Sequence, residues 1–146
     1  MRDILVRELI WDDVFAEFGW IPVTQGEGYT MTYLANHSEI IDNGLRLVGI
    51  EVAIPAGRET LPNGTPKKIL FADMIFARGN HFFVIETEDS ISKKSVGKRE
   101  AEERAEAFEE LMNRNGNHNI DVTPVFVGIK YPKNSRHGYL VGIPVK

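Results

Sequence analysis

Three carboxylates, those of Asp73, Glu86 and Glu88, lie within an apolar stretch of this 146-residue chain, Ile69 to Glu88. Ionised carboxylates are costly to place near a hydrophobic core unless a cation joins them. A divalent metal ion would supply that charge, and a hard ion such as Mg²⁺ prefers oxygen ligands. The residue types therefore indicate a divalent-metal site.

The stretch that carries these acids predicts a β-hairpin, because β-branched and aromatic residues dominate both arms around Arg78-Gly79-Asn80-His81. Glycine at the first central position suits a two-residue type II′ turn, which pairs the arginine with the histidine. This register places Asp73 across from Glu86. Glu88 points the same way because side chains alternate along a strand.

Apolar residues occupy both faces of the predicted hairpin, which indicates a strand pair covered on both sides. One face carries Phe71, Ile75, Phe82 and Val84 beside the acids, and the other carries Leu70, Met74, Phe76, Phe83 and Ile85. Surface ion pairs are the ordinary explanation for a Glu-x-Glu on a strand. Here the aspartate in register and the two-sided covering favour a metal site.

The composition narrows the class of protein. The length suits one domain, residues 1–146. The absence of cysteine removes disulfides, thiolate metal sites and cysteine nucleophiles. The four histidines lack the close spacing of metal ligands, and no glycine-rich phosphate loop or Gly-x-Ser-x-Gly motif occurs, so no nucleotide cofactor is expected. With no membrane-length apolar run, we expect a cytoplasmic protein without a membrane partner.

The formal net charge of −4 is unevenly distributed. Residues 100–110 contain six glutamates and one arginine, so this segment holds more than the whole negative excess. Basic residues gather elsewhere, at Lys67-Lys68, Lys93-Lys94, Lys98-Arg99 and Lys130 to His137, in or beside predicted loops. Local positive charge of this kind suits phosphate contacts, although ordinary surface lysines explain any single cluster about as well.

The remaining segments predict the elements around the hairpin. Helices are expected over Asp3 to Phe18 and Ser95 to Asn115, a long loop over Pro55 to Lys68, and strands over Trp20 to Thr24, Tyr29 to Leu34, Leu45 to Ile54, Asp121 to Lys130 and Tyr139 to Val145. The result is an α/β fold with a central mixed β-sheet flanked by helices. Its αβββαβ core carries a small N-terminal β excursion.

Acids on the second and third strands of such a core resemble the PD-(D/E)XK nuclease superfamily, the restriction-endonuclease-like fold. Asp73 matches the family's aspartate, and Glu86-Thr87-Glu88 matches its acidic-x-lysine signature, with glutamate where lysine is usual. Ala72 stands where the family often has proline. The resemblance covers roughly residues 1–18 and 45–130 and rests on pattern and topology more than on one specific string.

The resemblance implies a Mg²⁺ site, in which Mn²⁺ would substitute. The carboxylates of Asp73 and Glu86 and the backbone carbonyl of Thr87 would be ligands, and Glu8, on the first helix, would reach the metal through water. Glu88 would be a second metal ligand or the general base. Lys93, Lys94 and Lys98 are candidates for the missing lysine.

These features predict a divalent-metal-dependent DNA endonuclease of the restriction, junction-resolving or phage and mobile-element kind. The alternatives are a catalytically inactive nuclease-fold protein that binds nucleic acid or a protein partner, and an unrelated α+β interaction module whose acids are structural. Cutting both strands with one small site per chain predicts a homodimer. The predicted DNA contacts are Lys67, Lys68, Lys93, Lys94, Lys130, Lys133 and Arg136.

Overall fold

The computed structural model describes residues 6–9, 27–88, 90–130 and 138–145. Their strands form a six-stranded sheet of order β1-β6-β5-β4-β3-β2. The strands are β1 (Val6–Leu9), β2 (Arg46–Pro55), β3 (Ile69–Arg78), β4 (His81–Thr87), β5 (Asp121–Lys130) and β6 (Gly138–Pro144). The helices are α1 (Glu27–Asn36) and α2 (Lys94–Arg114), with short 3-10 helices at Ser38–Ile40 and Ile91–Lys93.

The sheet is mixed, as the sequence predicts. β5 runs parallel to β4, and the other neighbouring strands pair antiparallel. The parallel pair is possible because α2 returns the chain across the sheet between the two strands. The prediction of an α/β fold with a mixed sheet flanked by helices is therefore confirmed.

The predictions for the N-terminal elements are wrong wherever the structure describes them. Val6–Leu9 is not part of a helix but forms strand β1, which pairs with β6. Residues 29–34 belong to helix α1 and not to a strand. Their aromatic and β-branched residues suggest a strand, but Thr30, Tyr33 and Leu34 are buried at the three- and four-residue spacing of a helix. The predicted strand Trp20 to Thr24 lies outside the described residues.

Both faces of the central strands are covered, which confirms the prediction from the hairpin's two apolar faces. On one face, Tyr33 and Leu34 of α1 pack with Met74, Phe76, Phe83 and Ile85. On the other, Ala105 and Phe108 of α2 pack with Ile75 and Val84. Side chains alternate along a strand, so from Met74 to Phe76 the even-numbered residues of β3 face α1 and Ile75 faces α2.

Gly97 allows α2 to lie directly against β5. A Cβ atom added at this glycine would stand 2.2 Å from the ring of Phe126, which is fully buried. Gly97→Ala should therefore destabilise the protein by about 1–3 kcal/mol through overpacking, although alanine is the better helix former. Urea denaturation would measure the change, with exposed Ser95→Ala as control. A stabilising Gly97→Ala would contradict the close packing.

Candidate functional site

The hairpin has the predicted register. Arg78 pairs with His81, and the ladder continues residue by residue to Met74 opposite Ile85. Gly79 has a φ of 58°, the positive value that a type II′ turn requires at its first central position. The turn therefore sets which residues of β3 and β4 face each other at the far end of the hairpin.

Regular pairing between the two strands stops where the acids begin. The β3–β4 ladder ends at Met74, whereas β3 continues to pair with β2 as far as Ile69. Beyond this point, the Asp73 carboxylate replaces a backbone partner: its Oδ2 accepts hydrogen bonds from Thr87 N at 2.7 Å and Thr87 Oγ1 at 3.0 Å. Asp73 is thus held beside the end of β4 by two hydrogen bonds.

The backbone of β2 is distorted opposite Asp73. Glu51 falls between the paired residues Ile50 and Val52 and has a φ of 50°, in the left-handed region that side chains other than glycine seldom adopt. Ala72 and Met74 on β3 nevertheless pack in clusters on opposite faces of the sheet, although residues two apart normally share a face. The strand pair therefore bends at Asp73.

Glu86 is a buried acid, with 5% of its surface exposed. The Arg104 Nε atom lies 3.0 Å from its Oε1. That nitrogen donates its hydrogen to the backbone oxygen of Phe71, also at 3.0 Å, so its approach to Glu86 is a charge contact without a hydrogen bond. Within the described part of the chain, Glu86 Oε1 is buried and has no hydrogen-bond donor.

The surroundings of Glu86 raise the pKa of its carboxyl from 4.5 to about 9. Burial is the largest cause, followed by the negative charge of Asp73 and by a hydrogen bond with Asp73 that favours the protonated form. Arg104 acts in the opposite direction, and Glu100 adds a further raising contribution. Two adjacent acids with one arginine contact are therefore short of positive charge.

Asp73 and Glu86 fit a hard divalent cation. Magnesium is commonly held by one or two carboxylates, with water and substrate oxygens completing its shell. Glu86 Oε1 is buried, accepts no hydrogen bond within the described residues and has the Arg104 Nε atom 3.0 Å away, so a divalent cation that replaced this contact would offset the repulsion between the two acids. Among the described residues, no group of three or more His, Cys, Asp or Glu side chains is arranged to hold a metal ion.

Glu88 has a cationic neighbour of its own. Its Oε2 lies 3.8 Å from Lys93 Nζ, and its backbone nitrogen donates to Val127 O at 2.9 Å. The side chain is 17% exposed, so solvent reaches it.

The structure separates Glu8 from the hairpin acids in topology. Its backbone lies on edge strand β1 opposite Tyr139, and β6 and β5 stand between β1 and β4. The helix expected to carry Glu8 towards the metal is not formed at Val6–Leu9. Thr87 is the last residue of β4, and its amide and hydroxyl both donate to Asp73.

The loop between β2 and β3 is ordered and partly basic. A bridge between Thr60 and Pro66 closes it, and a surface depression is lined by Ala56, Gly57, Arg58, Glu59, Lys67 and Lys68. Lys67 forms an exposed ion pair with Glu59 at 3.3 Å. Of the other predicted DNA contacts, Lys94 begins α2, Lys130 ends β5, and Lys133 and Arg136 lie outside the described residues.

Two arginines of α2 escaped the sequence prediction. Arg104 contacts Glu86, and Arg114 Nη1 donates to Gly57 O at 3.0 Å, joining the helix to the β2–β3 loop. The Nε and Nη2 atoms of Arg114 are buried without a hydrogen-bond partner in the part of the chain that the structure describes. The position of Arg104 in the helical stripe of Ala101, Ala105 and Phe108 was the available signal that it faces the sheet.

Comparisons with known proteins do not assign a family. A scan against models of protein families gives no match, and a search of curated proteins finds no similar sequence. None of the described helices is long and apolar enough to cross a membrane.

Proposed function

We propose that the protein is a divalent-metal-dependent endonuclease that hydrolyses DNA phosphodiester bonds, with Asp73 and Glu86 as metal ligands. The observation that carries the proposal is the acid pair at the end of the hairpin, in which Glu86 is buried beside the partly buried Asp73, and burial and Asp73 raise the pKa of Glu86 to about 9. Acids whose pKa is strongly perturbed by burial and a specific charged neighbour cluster at functional sites. The resemblance to PD-(D/E)XK nucleases supplies the reaction class.

Each acid has a distinct part in the proposed reaction. Mg²⁺, or Mn²⁺ in its place, would neutralise charge on the scissile phosphate and lower the pKa of the attacking water. Thr87 holds Asp73 in place through two hydrogen bonds, and burial fixes Glu86 beside it. Glu88, which is reachable by solvent, accepts the proton of the water as its oxygen attacks phosphorus and the leaving oxygen departs.

Lys93 supplies the positive charge that the Glu88 substitution removes from the signature. Its ammonium group lies beside Glu88. Lys93 ends the short 3-10 helix that leads into α2, at the same end of β4 as the acids. A lysine there suits contact with a phosphate next to the one that is cut. Lys93, in the 3-10 helix that follows β4, would thus take the place of the lysine that the family signature has at the position of Glu88.

A plasmid assay tests the proposed function. Purified protein with supercoiled plasmid should convert it to nicked or linear DNA in Mg²⁺ or Mn²⁺, and an excess of EDTA should stop the conversion. Adding fresh metal after EDTA controls for loss of the protein itself. Intact plasmid under all metal conditions would count against the nuclease.

The β2–β3 loop is the proposed DNA-binding surface. Exchanging Lys67 and Lys68 for glutamate should weaken DNA binding by more than tenfold at low salt, since two phosphate contacts are lost. The slope of log affinity against log salt should fall by about 0.9 per contact. Fluorescence anisotropy would measure both, in an Asp73→Asn background to prevent cleavage. Exchanging exposed Arg46 and Arg99 together for glutamate is the matched charge control, and equal effects of the two double changes would remove the loop from the interface.

The predicted homodimer has a candidate surface at the free edge of the sheet. β2 is an edge strand, and its side chains Leu47, Val48 and Ile50 are exposed apolar residues. Exposed edge strands readily pair with other chains. Light scattering should give a dimer for the wild-type protein and a monomer for Ile50→Lys, and a monomeric wild type would contradict the assignment.

A catalytically inactive nucleic-acid-binding protein of the same fold is the second candidate. The observation in its favour is that the Arg104 guanidinium already contacts Glu86 Oε1 and partly offsets the negative charge of the acid pair. Binding of DNA without cleavage in any metal would support this candidate. We place the protein in the cytoplasm in either case.

A further inference from the structure

Arg104 contacts the same Glu86 oxygen that we propose as a metal ligand. Its Nε lies 3.0 Å from Glu86 Oε1, and that oxygen is buried. A guanidinium and a divalent cation both carry positive charge, so they repel each other when they share one carboxylate oxygen. The two groups therefore compete for this position.

The contact between Arg104 and Glu86 can be lost without loss of a hydrogen bond. The single Nε hydrogen is directed to Phe71 O, so no hydrogen bond has to be given up when Glu86 turns to another cation. The contact is purely electrostatic. A divalent ion carries twice the charge of the guanidinium and binds the carboxylate lone pair directly, which favours exchange of one cation for the other.

Arg104 also has a second acidic partner outside the buried site. Its Nη1 donates to Glu103 Oε1 at 3.0 Å, and Glu103 is about half-exposed. The arginine side chain itself is 17% exposed. When the charge contact with Glu86 is lost, Glu103 can keep the guanidinium at the rim of the site, where it faces solvent or an incoming phosphate.

We propose that Arg104 is an internal counter-cation that occupies the metal site in the resting protein and must yield Glu86 when the divalent ion binds. This inference rests on the proposed function, because it takes Asp73 and Glu86 as metal ligands. In the absence of metal, Arg104 would keep Asp73 and Glu86 close together. It would also set the metal concentration at which the site fills. It is a positioning residue that acts through Glu86.

Metal binding by charge-removing variants tests the proposal. Arg104→Gln keeps a donor for Phe71 O, and Arg104→Met keeps the aliphatic stem. Each should bind Mn²⁺ at least tenfold more tightly than the wild type, measured by calorimetry or by the loss of the free Mn²⁺ signal in electron paramagnetic resonance. Arg99→Gln, at an exposed position of the same helix, controls for the general effect of removing one positive charge.

The outcomes separate this inference from the proposed function. If wild-type binding of Mn²⁺ disappears in Asp73→Asn, and both Arg104 variants bind as the wild type does or more weakly, the inference is overturned while the metal site stands. If the Arg104 and Arg99 variants gain affinity equally, the inference is also overturned, because the effect is then nonspecific. If the wild type shows no Asp73-dependent Mn²⁺ binding, the proposed function fails, and the inference with it.

The thermal response supplies a readout independent of affinity. Without metal, Arg104→Gln should melt below the wild type, because Glu103 loses its ion pair with the guanidinium. Saturating Mn²⁺ should raise the melting temperature of Arg104→Gln more than that of the wild type. An equal or smaller rise would overturn the inference even where both proteins bind the metal.

Discussion

Replacing Glu86 by glutamine should make the protein more stable at neutral pH while abolishing metal-dependent cleavage. The carboxyl has a pKa of about 9 in the folded protein and 4.5 as its ordinary value, so the folded chain favours the neutral form that glutamine imitates. Each pKa unit corresponds to about 1.4 kcal/mol. At pH 7 the gain should be on the order of 3 kcal/mol, or about 5–10 °C in melting temperature for a domain of this size.

The sign of this effect follows from proton linkage. Because the pKa of Glu86 is raised on folding, its contribution to stability is fully present below pH 4.5 and is lost as the pH rises towards about 9. The difference between Glu86→Gln and the wild type should therefore be small at pH 4.5, grow through neutrality and level off above pH 9. Thermal melts across this range would measure it.

Magnesium should narrow the difference in stability between Glu86→Gln and the wild type. A ligand that binds the folded state alone stabilises it in proportion to the logarithm of its concentration above the dissociation constant. Mg²⁺ should therefore raise the melting temperature of the wild type and leave Glu86→Gln unchanged. Exposed Glu102→Gln, on the outer side of α2, is the control and should show neither the pH-dependent gain nor the loss of the metal response. A destabilised Glu86→Gln at pH 8 would contradict the account of the acid pair.

Asp73→Asn should eliminate cleavage and leave the fold intact. The asparagine oxygen can still accept hydrogen bonds from Thr87 N and Oγ1, which hold this side chain in the wild type. The lost charge removes a proposed direct metal ligand, and the rate should fall by more than the roughly 10–100-fold that outer-shell changes at metal sites cost. Plasmid cleavage in Mg²⁺ would measure the loss.

Asp73→Ala separates the catalytic role of this residue from its structural one. Alanine leaves the Thr87 amide without its acceptor, so it should destabilise the protein by about 1–3 kcal/mol relative to Asp73→Asn. Both variants should be equally inactive. Cleavage by Asp73→Asn at the wild-type rate would assign Asp73 to the hairpin's structure alone.

The parts of the site that depend on local sequence were predictable. The Gly79 turn fixes the hairpin register from two neighbouring residues, so the sequence places Asp73 and Glu86 near each other before any tertiary contact is known. The two-sided apolar pattern likewise predicts the covering by helices. These inferences need only strand alternation and turn geometry.

The parts that depend on distant contacts were not predictable. β1 is a strand because β6 is available to pair with it, and nothing within Val6–Leu9 shows that partner. Arg104 meets Glu86 only after α2 crosses the sheet. The left-handed backbone at Glu51 has no local signal either, since glutamate seldom adopts that conformation.

The central claim is that Asp73 and Glu86 bind one divalent ion, and a crystal soaked in Mn²⁺ tests it most directly. The account predicts an anomalous scattering peak within bonding distance of both carboxylates, with the Arg104 guanidinium displaced from Glu86. Saturating Mn²⁺ with no peak between these carboxylates, and with Arg104 still 3.0 Å from Glu86, would contradict it.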